Sequence, residues 1–513
     1  MHLTVGFVGI LLVLAPVWTP KASAQQAGDP TRVTAILPRL EALAQDGLRT
    51  TGVPGMAIAV VSGNQVVYLK GLGVRQAGQA QPVDPDTVFQ IASCSKPVTT
   101  TMLAALIGMG KLGWDDRVID HDPGFRLEDP WVTRELTVRD LVTHRSGLPA
   151  FAGDDLEQLG WDRRAILARL RFLKPASSFR SRHAYTNFAF TESGEVAAQV
   201  TGVPYEDVMA ELLFRPLGMT ATSARFADYE RAANKAVPHV LVEGRMVPKY
   251  TRRPDAQAPA GGISSTARDM AQWLRLHLGV GTVDGRQIIP ADALAETHRP
   301  QLVSGFNPGT FGRAGFSGLG WVVEYDEHGR THVKHSGAFS AGVRSQVALL
   351  PAEGVGIVVL SNGFPSGLPE GIVKAFFDLL LTGTAPPDAV TAEHARITAV
   401  LERMARAPAR PPRAQPATPA RPATAYAGVY RSDYFGTLEV VQRDGTLFVL
   451  LEPSRAQRPL GHWARDVFTF ELPGDSGEEE TTALFTVGSD GVATRVVVEG
   501  LDHNGVGTFR RVP

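Results

Sequence analysis

Apolar and polar positions follow two successive patterns along this chain, and the first pattern predicts a mixed α/β unit. Apolar side chains within 36–43 recur at helical spacing, and two apolar runs, 55–61 and 65–69, surround a polar turn that predicts a β-hairpin. The segment from 115 to about 300 is mainly helical in pattern, whereas strand patterns return after Leu319. We therefore predict one sheet built from both ends of this unit, with a helical insert between them.

Two helices of this unit have clear boundaries in the sequence. Ser264, Ser265 and Thr266 are residue types that cap helix N-termini, and an amphipathic stretch follows them from 267 to 278. A second helix is predicted at about 368–381, after the last strand. The first unit is therefore expected to end with a helix.

The second pattern begins after a stretch rich in proline, alanine and arginine at 407–424. This composition cannot bury a core and favours an extended linker. Beyond it the chain alternates in strand fashion, and Arg443-Asp444-Gly445 is a typical hairpin turn between two apolar runs. We predict a small all-β domain of meander or barrel type at 425–513, preceded by a helix and the linker at 386–424.

The first residues have the composition of an export signal. Residues 5–18 form a nearly unbroken apolar run, and the stretch 22–24 is a small-x-small cleavage pattern. The run is shorter than an ordinary membrane span, although an uncleaved membrane anchor is the alternative. We therefore expect a signal peptide at 1–24 and a main domain at 25–385. The expected location is periplasmic or secreted, in a bacterium, with no stable membrane span after signal removal.

Composition narrows the class of partner. The 513 residues are 44% hydrophobic and 20% charged with a formal net charge of −1, as in ordinary globular proteins. So small a net charge gives no field that attracts nucleic acid, and we expect none as a partner. Cys94 is the only cysteine, so no intrachain disulfide can form. The expected partner is a small-molecule or short-peptide substrate, and the C-terminal domain offers a surface for oligomerisation.

Ser93 and Lys96 are the first candidates for chemistry. They stand three residues apart at the predicted start of a helix, so their side chains lie on one face about a turn apart. A neutral lysine amine there can take the proton of the serine hydroxyl, as in acyl-enzyme hydrolases. Cys94 is an alternative nucleophile, but we interpret it as a small buried hydrophobe. The pattern alone has little weight, since roughly one S-x-x-K arises by chance in a chain this long.

Two later motifs supply partners for that pair. Tyr185 and Asn187 belong to a Y-x-N motif, in which a phenol can shuttle protons if Lys96 lowers its pKa, and the amide can hold a substrate amide. A core aromatic with a satisfied hydroxyl is the alternative for Tyr185. His335 and Gly337 form an H-x-G motif between two predicted strands. Glycine there permits close approach of a substrate backbone, and histidine can donate to a substrate carbonyl or carboxylate.

The order S-x-x-K, Y-x-N and H-x-G resembles the serine β-lactamase and penicillin-binding protein superfamily. The similarity is greatest to class C β-lactamases and their relatives, which are D,D-peptidases, D-aminopeptidases and family VIII esterases. Four further stretches also look like this family: 55–61, 136–149, 216–220 and 261–269. The resemblance covers 37–381 and implies an α/β fold, with an antiparallel sheet and a helical subdomain. The C-terminal part is similar to the lipocalin-like β-domain of many members.

The resemblance implies a role for each candidate residue. Ser93 is the nucleophile, Lys96 activates it and tunes Tyr185, and Tyr185 acts as general base and later as general acid. Asn187 binds the substrate amide, and the oxyanion hole uses the backbone N–H groups of Ser93 and Ala338. No metal or organic cofactor is implied.

Residue 335 departs from the class C pattern. Class C β-lactamases have lysine there, whereas many peptidases of the superfamily have histidine, which is only partly charged near neutral pH. Lys334 is one residue early and would point to the opposite face of a strand. We therefore predict a serine hydrolase that cleaves small peptides, D-amino acid amides or esters, including peptidoglycan-derived ones. The alternatives are a weak β-lactamase and a non-catalytic protein that binds peptidoglycan fragments.

Overall fold

The computed structural model describes residues 29–306, 313–405 and 418–513. The predicted signal peptide at 1–24 and most of the predicted linker, 407–417, lie outside the described residues. Within the described ranges, no helix is long and apolar enough to cross a membrane.

Helices of the first unit lie before its first strand, between its first and last strands, and after its last strand. They are α1 Pro30–Thr51, α2 Ser95–Gly108, α3 Val118–His121, α4 Pro130–Glu135, α5 Val138–Val142, α6 Asp154–Leu159, α7 Arg163–Arg169, α8 Asn187–Thr201, α9 Tyr205–Met209, α10 Phe226–Arg231, α11 Ala258–Gly261, α12 Ala267–Leu278, α13 Ala291–Glu296, α14 Leu368–Thr382 and α15 Ala389–Ala405. Shorter helical turns lie at Ala92–Cys94, Leu170–Phe172, Ala210–Phe214, Asp255–Gln257, Pro351–Glu353, Ala423–Ala425 and Glu499–Leu501.

Strands form one large sheet in each unit and a few small ribbons. They are β1 Gly55–Ser62, β2 Gln65–Gly73, β3 Phe89–Gln90, β4 His239–Val242, β5 Arg245–Val247, β6 Ser264–Ser265, β7 Thr282–Val283, β8 Arg286–Gln287, β9 Leu302–Phe306, β10 Ala314–Ser317, β11 Val322–Tyr325, β12 Thr331–Phe339, β13 Val343–Leu350, β14 Val355–Ser361, β15 Gly363–Phe364, β16 Gly428–Ser432, β17 Gly436–Arg443, β18 Thr446–Leu451, β19 Gln457–Pro459, β20 Gly461–Ala464, β21 Val467–Gly474, β22 Gly477–Val487, β23 Ala493–Val498 and β24 Thr508–Arg511.

The sheet of the first unit is built from both ends of that unit. Its strand order is β2-β1-β14-β13-β12-β11-β10-β9, and every neighbouring pair is antiparallel. The hairpin β1–β2 precedes the helical insert, whereas β9 to β14 follow it. The α/β fold class predicted from the hydrophobic pattern and from the family resemblance is therefore confirmed.

Helices cover both faces of this sheet. β1 and β14 are buried at every position, which explains why their sequences are continuous apolar runs. Ile58 points into the core formed with α1 and α14, and its neighbour Ala59 points into the larger core that includes α12. The larger core also contains the start of α2, so the sheet supports the helix that follows Ser93.

Helix boundaries follow the capping chemistry of the sequence. α12 begins and ends as predicted, and Oγ1 of Thr266 accepts the N–H of Asp269 at 3.1 Å. α14 ends one residue later than predicted. α1 is longer than its apolar spacing indicates, because Asp29 caps its N-terminus and Pro30 occupies its first turn.

The C-terminal unit is a nine-stranded sheet that curls into a nearly closed barrel. Its order is β19-β18-β17-β16-β24-β23-β22-β21-β20, so strands that follow each other in sequence lie side by side, and β24 pairs with β16 to close the predicted meander into a barrel that is open between β19 and β20. The predicted turn joins β17 to β18, and Asp444 and Gly445 adopt φ values of 48° and 80° there. Such paired positive φ values suit a tight hairpin turn.

Candidate active site

Ser93 lies at a junction between a strand and a helix. β3 leads into the turn Ala92–Cys94, and α2 begins directly after it. Ala92 adopts a φ of 46°, in the left-handed region that residues other than glycine rarely enter. Backbone strain of this kind is concentrated at functional sites. Here it immediately precedes the half-buried side chain of Ser93.

Lys96, one helical turn further on, is fully buried. Its Nζ lies 2.7 Å from Oδ1 of Asn187, 2.9 Å from the carbonyl oxygen of Ala260 and 3.4 Å from Oγ of Ser93. Burial lowers the pKa of Lys96 to about 7, because the charged amine loses its hydration. A neutral amine that donates its two N–H groups to Asn187 and Ala260 would present its lone pair to the serine hydroxyl.

Tyr185 lies against the same two residues. Its hydroxyl donates to Oγ of Ser93 at 2.9 Å, and its ring centroid is 4.5 Å from Nζ of Lys96. Burial raises the pKa of the Tyr185 phenol. The expectation that Lys96 lowers this pKa is therefore wrong, because loss of solvation outweighs any effect of the amine. At neutral pH the phenol is protonated, and the amine is the better candidate for the base.

Sequence reasoning missed His144, which packs on Tyr185 with ring centroids 4.6 Å apart. Nδ1 of His144 accepts the backbone N–H of Thr186 at 3.2 Å, so the ring proton is on Nε2. Burial holds the pKa of His144 well below its ordinary value, and nearby Lys96 adds to this shift. The available signal was the stretch 136–149, which we used only for the family resemblance.

Asp154, also missed, holds the far end of the Asn187 amide. Nδ2 of Asn187 donates to Oδ2 of Asp154 at 2.8 Å. Burial raises the pKa of Asp154 well above its ordinary value, and the charge of Glu157 adds to the rise. The charge of Asp154 acts to raise the pKa of Lys96, but burial of the amine outweighs it. No sequence motif includes Asp154, so no local signal could have found it.

His335 is neutral in the structure. Burial lowers its pKa to about 3, with Lys96 as the next cause, and its Nδ1 donates to the carbonyl oxygen of Ser336 at 2.7 Å. The expectation of a partly charged histidine is therefore wrong, because the side chain is buried beside an amine. Lys334 faces the other side of β12, where its Nζ pairs with Glu324 at 2.7 Å. The site thus has a neutral imidazole where class C enzymes have a cation.

Strand β12 runs tightly against the turn that carries Ser93. A Cβ added to Gly337 would lie 2.2 Å from the carbonyl oxygen of Ile91 and 3.1 Å from the backbone nitrogen of Cys94. Only glycine fits this contact without a shift. Ala338, the next residue on the strand, is half-buried. The contact fixes the strand of Ala338 against the turn of Ser93, as an oxyanion hole made by their two N–H groups requires.

Cys94 does not have the environment of a nucleophile. Its side chain is fully buried, and burial raises the pKa of its thiol to about 12. Its Sγ donates to the carbonyl oxygen of His335 at 3.4 Å, which fits the structural role that we interpreted from the sequence. Among the described residues, no group of three or more histidine, cysteine, aspartate or glutamate side chains is placed to hold a metal ion.

Comparison with known proteins agrees with this geometry. A family model described as Beta-lactamase matches residues 40–375, which is more than half of the chain. The chain belongs to the beta-lactamase family. A second family model, described as a domain of unknown function (DUF3471), matches residues 412–505. The family therefore accounts for the unit with the catalytic candidates, and the barrel is an added domain.

Two relatives and one solved structure illustrate the range of this beta-lactamase family. Penicillin-binding protein 4 of Amycolatopsis lactamdurans is 30% identical over 342 residues, which are 65% of this chain and 85% of the relative. The D-alanyl-D-alanine-carboxypeptidase/endopeptidase AmpH of Escherichia coli (strain K12) is 26% identical over 350 residues, 66% of this chain and 87% of the relative.

The octameric penicillin-binding protein homologue from Pyrococcus abyssi shares the fold, with a TM-score of 0.60 at 20% identity. That structural match covers 90% of this chain and 98% of the homologue. With these relatives in the beta-lactamase family, the protein is a serine hydrolase.

Proposed function

We propose that this hydrolase forms an acyl-enzyme on Ser93 and cleaves small peptides, D-amino acid amides or esters. The observation that carries the proposal is the buried amine of Lys96, which Asn187 and Ala260 hold within 3.4 Å of the serine oxygen. A buried lysine of lowered pKa beside a serine hydroxyl is typical of an activated nucleophile.

In the proposed acylation, Oγ of Ser93 attacks the substrate carbonyl carbon while its proton passes to Nζ of Lys96. The N–H groups of Ser93 and Ala338 stabilise the negative oxygen that forms. The leaving amine or alcohol takes a proton from the hydroxyl of Tyr185, and Lys96 returns one to that phenol. Water then attacks the acyl carbon and gives a proton to Nζ of Lys96, and Oγ of Ser93 takes a proton back from that amine as the acyl C–Oγ bond breaks.

The substrate class follows from the groups on β12. His335 is neutral and Lys334 is paired with Glu324, so neither offers a free positive charge to a substrate carboxylate. We therefore rank esters and D-amino acid amides above β-lactams. The printed names of the relatives, a penicillin-binding protein and a D-alanyl-D-alanine-carboxypeptidase/endopeptidase, support peptides with D-alanine as a further class.

The test is a comparison of three chromogenic substrates with the purified full chain. We expect kcat/KM to be highest for p-nitrophenyl butyrate or D-Ala-p-nitroanilide and lowest for nitrocefin. Nitrocefin as the best substrate would instead favour the β-lactamase alternative. Turnover of none of the three, together with tight binding of peptidoglycan fragments, would favour the non-catalytic alternative.

Covalent labelling tests the nucleophile separately. We expect a fluorophosphonate or a fluorescent penicillin to label the parent chain and to leave Ser93→Ala unlabelled. Cys94→Ala is the matched control, since it changes the adjacent buried side chain and should keep the label. Undiminished labelling of Ser93→Ala would overturn the assignment.

A further inference from the structure

Helix α6 relies on the C-terminal domain for its first turn. It has six residues, too few for a stable isolated helix, and Gly153 before it has no side chain with which to cap it. The hydroxyl of Tyr434 instead forms hydrogen bonds with groups at this end of the helix. It accepts the N–H of Gly153 at 3.0 Å and donates to Oδ1 of Asp155 at 2.8 Å. Tyr434 is 1% exposed and lies between β16 and β17, so it reaches α6 from the barrel.

A second contact joins the barrel to the next turn of the same helix. Arg252 is ion-paired with Glu157 of α6 and, at 3.2 Å, with Asp475 between β21 and β22. All three side chains are mostly buried, so water screens this pair of contacts weakly. The C-terminal domain therefore contacts α6 directly at its start and through Arg252 at its second turn.

Hydrogen bonds lead from the start of α6 to the nucleophile. Asp154 is its first residue, and its carboxyl accepts from Asn187 at 2.8 Å. Asn187 in turn accepts from Lys96 at 2.7 Å, and the amine lies 3.4 Å from Oγ of Ser93. A shift of α6 would therefore reach the amine through a single side chain, that of Asn187.

Packing limits how α6 can adjust. Gly153 adopts a φ of 95°, and a Cβ there would lie 2.7 Å from the ring of Phe188 on α8. The start of α6 is thus in close contact with α8 and is hydrogen-bonded to Tyr434. Without the Tyr434 hydroxyl, the N–H of Gly153 and the carboxyl of Asp155 would both lose a buried partner.

We infer that Tyr434 is a positioning residue of the catalytic site, acting through α6, Asp154 and Asn187 on the amine of Lys96. This inference rests on the proposed function of Lys96 as the base. The inference gives the DUF3471 domain a role in catalysis, because Tyr434 of that domain orders α6, and α6 orients the amine of Lys96. Misplacement of a reacting group by about 1 Å can cost about 100-fold in rate.

The test is Tyr434→Phe in the full chain, with Tyr430→Phe as the matched control. Tyr430 is equally buried in the same barrel, but among the residues that the structure describes its hydroxyl hydrogen-bonds only to Tyr426 and Arg511 of that domain. We expect kcat to fall about 10- to 100-fold in Tyr434→Phe with KM within about two-fold, and both to stay near parental values in Tyr430→Phe. A kcat within two-fold of the parent in Tyr434→Phe would overturn the inference.

A conservative pair at the partner residue separates positioning from general loss of structure. Asp155→Asn keeps an acceptor for the Tyr434 hydroxyl and should retain most of kcat, whereas Asp155→Ala should resemble Tyr434→Phe. In the double variant Tyr434→Phe/Asp155→Ala the losses should be less than additive, because both remove one hydrogen bond. Full additivity would contradict the inference, and the Asp155 pair also provides a test if Tyr434→Phe does not fold.

Amide hydrogen exchange gives a readout that does not depend on activity. In Tyr434→Phe, exchange should accelerate at 153–159 and at the start of α8, and Tyr430→Phe should leave both segments unchanged. If the parent hydrolyses nothing but the exchange pattern appears, the proposed function fails while the link from barrel to α6 stands. If the parent is active but exchange in Tyr434→Phe does not differ from the parent, the inference fails while the proposed function stands.

Discussion

Asn187 joins Lys96 to Asp154, with its amide oxygen 2.7 Å from the amine and its amide nitrogen 2.8 Å from the carboxyl. An amide has one accepting end and one donating end, so this geometry fits a donor on Lys96 and an acceptor on Asp154. Burial favours the neutral form of both outer groups. The site can therefore hold a basic amine at neutral pH without a buried charge.

The pH dependence of acylation should reveal that amine. Lys96 accepts a proton only when it is neutral, and burial lowers its pKa to about 7. We expect kcat/KM for an uncharged ester to rise with pH through an apparent pKa near 7 and then reach a plateau. A profile that rises only above pH 9 would contradict an amine base of lowered pKa.

Replacing Asn187 with aspartate should move that profile. Asn187→Asp places a carboxylate 2.7 Å from Nζ of Lys96, and an opposite charge at this distance raises a lysine pKa by about 1–3 units. Activity at pH 7 should fall at least about tenfold and recover by about pH 9. Asn187→Ala is the control, since it removes the hydrogen bonds without adding charge and should show no recovery at high pH.

A lysine at position 335 should change the substrate preference. His335→Lys adds an amine that a bound carboxylate can hold as a cation, where the parent has a neutral imidazole. The ratio of nitrocefin to p-nitrophenyl butyrate turnover should rise at least about tenfold, because a carboxylate gains a charged partner worth about 1.5–3 kcal/mol. Lys334→Gln, which removes the cation on the opposite face of β12, should leave the ratio unchanged. An unchanged ratio in His335→Lys would count against the role of this residue.

Gly337→Ala should disrupt the site. The new Cβ would lie 2.2 Å from the carbonyl oxygen of Ile91 and 2.3 Å from Oγ of Ser345, so β12 must move away from the Ser93 turn. We expect acylation to fall about 100-fold and the free energy of unfolding to drop by about 1–3 kcal/mol. Gly305→Ala is the control, because no atom lies within 4 Å of its added Cβ. Equal effects at both positions would contradict this account.

Acid should destabilise the fold through buried histidines. Nδ1 of His277 lies 2.9 Å from Nε2 of His298, and burial holds the pKa of His277 well below its ordinary value and lowers that of His298 to about 4. The unfolded chain takes up these protons near pH 6.5, so stability is fully present above that pH and is lost as the pH falls towards 4.

Between pH 6.5 and pH 4, each of these histidines should lower the free energy of unfolding by up to about 1.4 kcal/mol per pH unit. Thermal unfolding at pH 7.5 and pH 5.0 measures the effect, and His298→Asn should reduce the difference between the two melting temperatures. Equal melting temperatures of the parent at both pH values would show that these groups are not linked to folding.

Local chemistry made part of this structure predictable. Some features depend only on residues close together in sequence, where periodicity and capping decide the conformation. They are the N-cap at Thr266, the hairpin β1–β2 and the S-x-x-K spacing. The Y-x-N and H-x-G motifs indicated Tyr185 and His335, and the family resemblance implied a role for each.

The remaining features depend on contacts distant in sequence. Asp154 meets Asn187 across 33 positions, and Tyr434 meets Asp155 across 279, with no motif to mark either pair. The pKa direction of Tyr185 and the charge state of His335 were mispredicted for the same reason. Desolvation depends on how the whole fold packs around a group, and the residues next to that group in the sequence do not indicate it.

The pairing of β1 with β14 has a consequence for synthesis of the protein. Ala59 lies opposite Val358, so roughly 300 residues must leave the ribosome before the central sheet can close. Until then β1, buried at every position in the finished fold, can pair only with β2 of its own hairpin, so one edge of an apolar strand stays uncovered while the helical insert is being made.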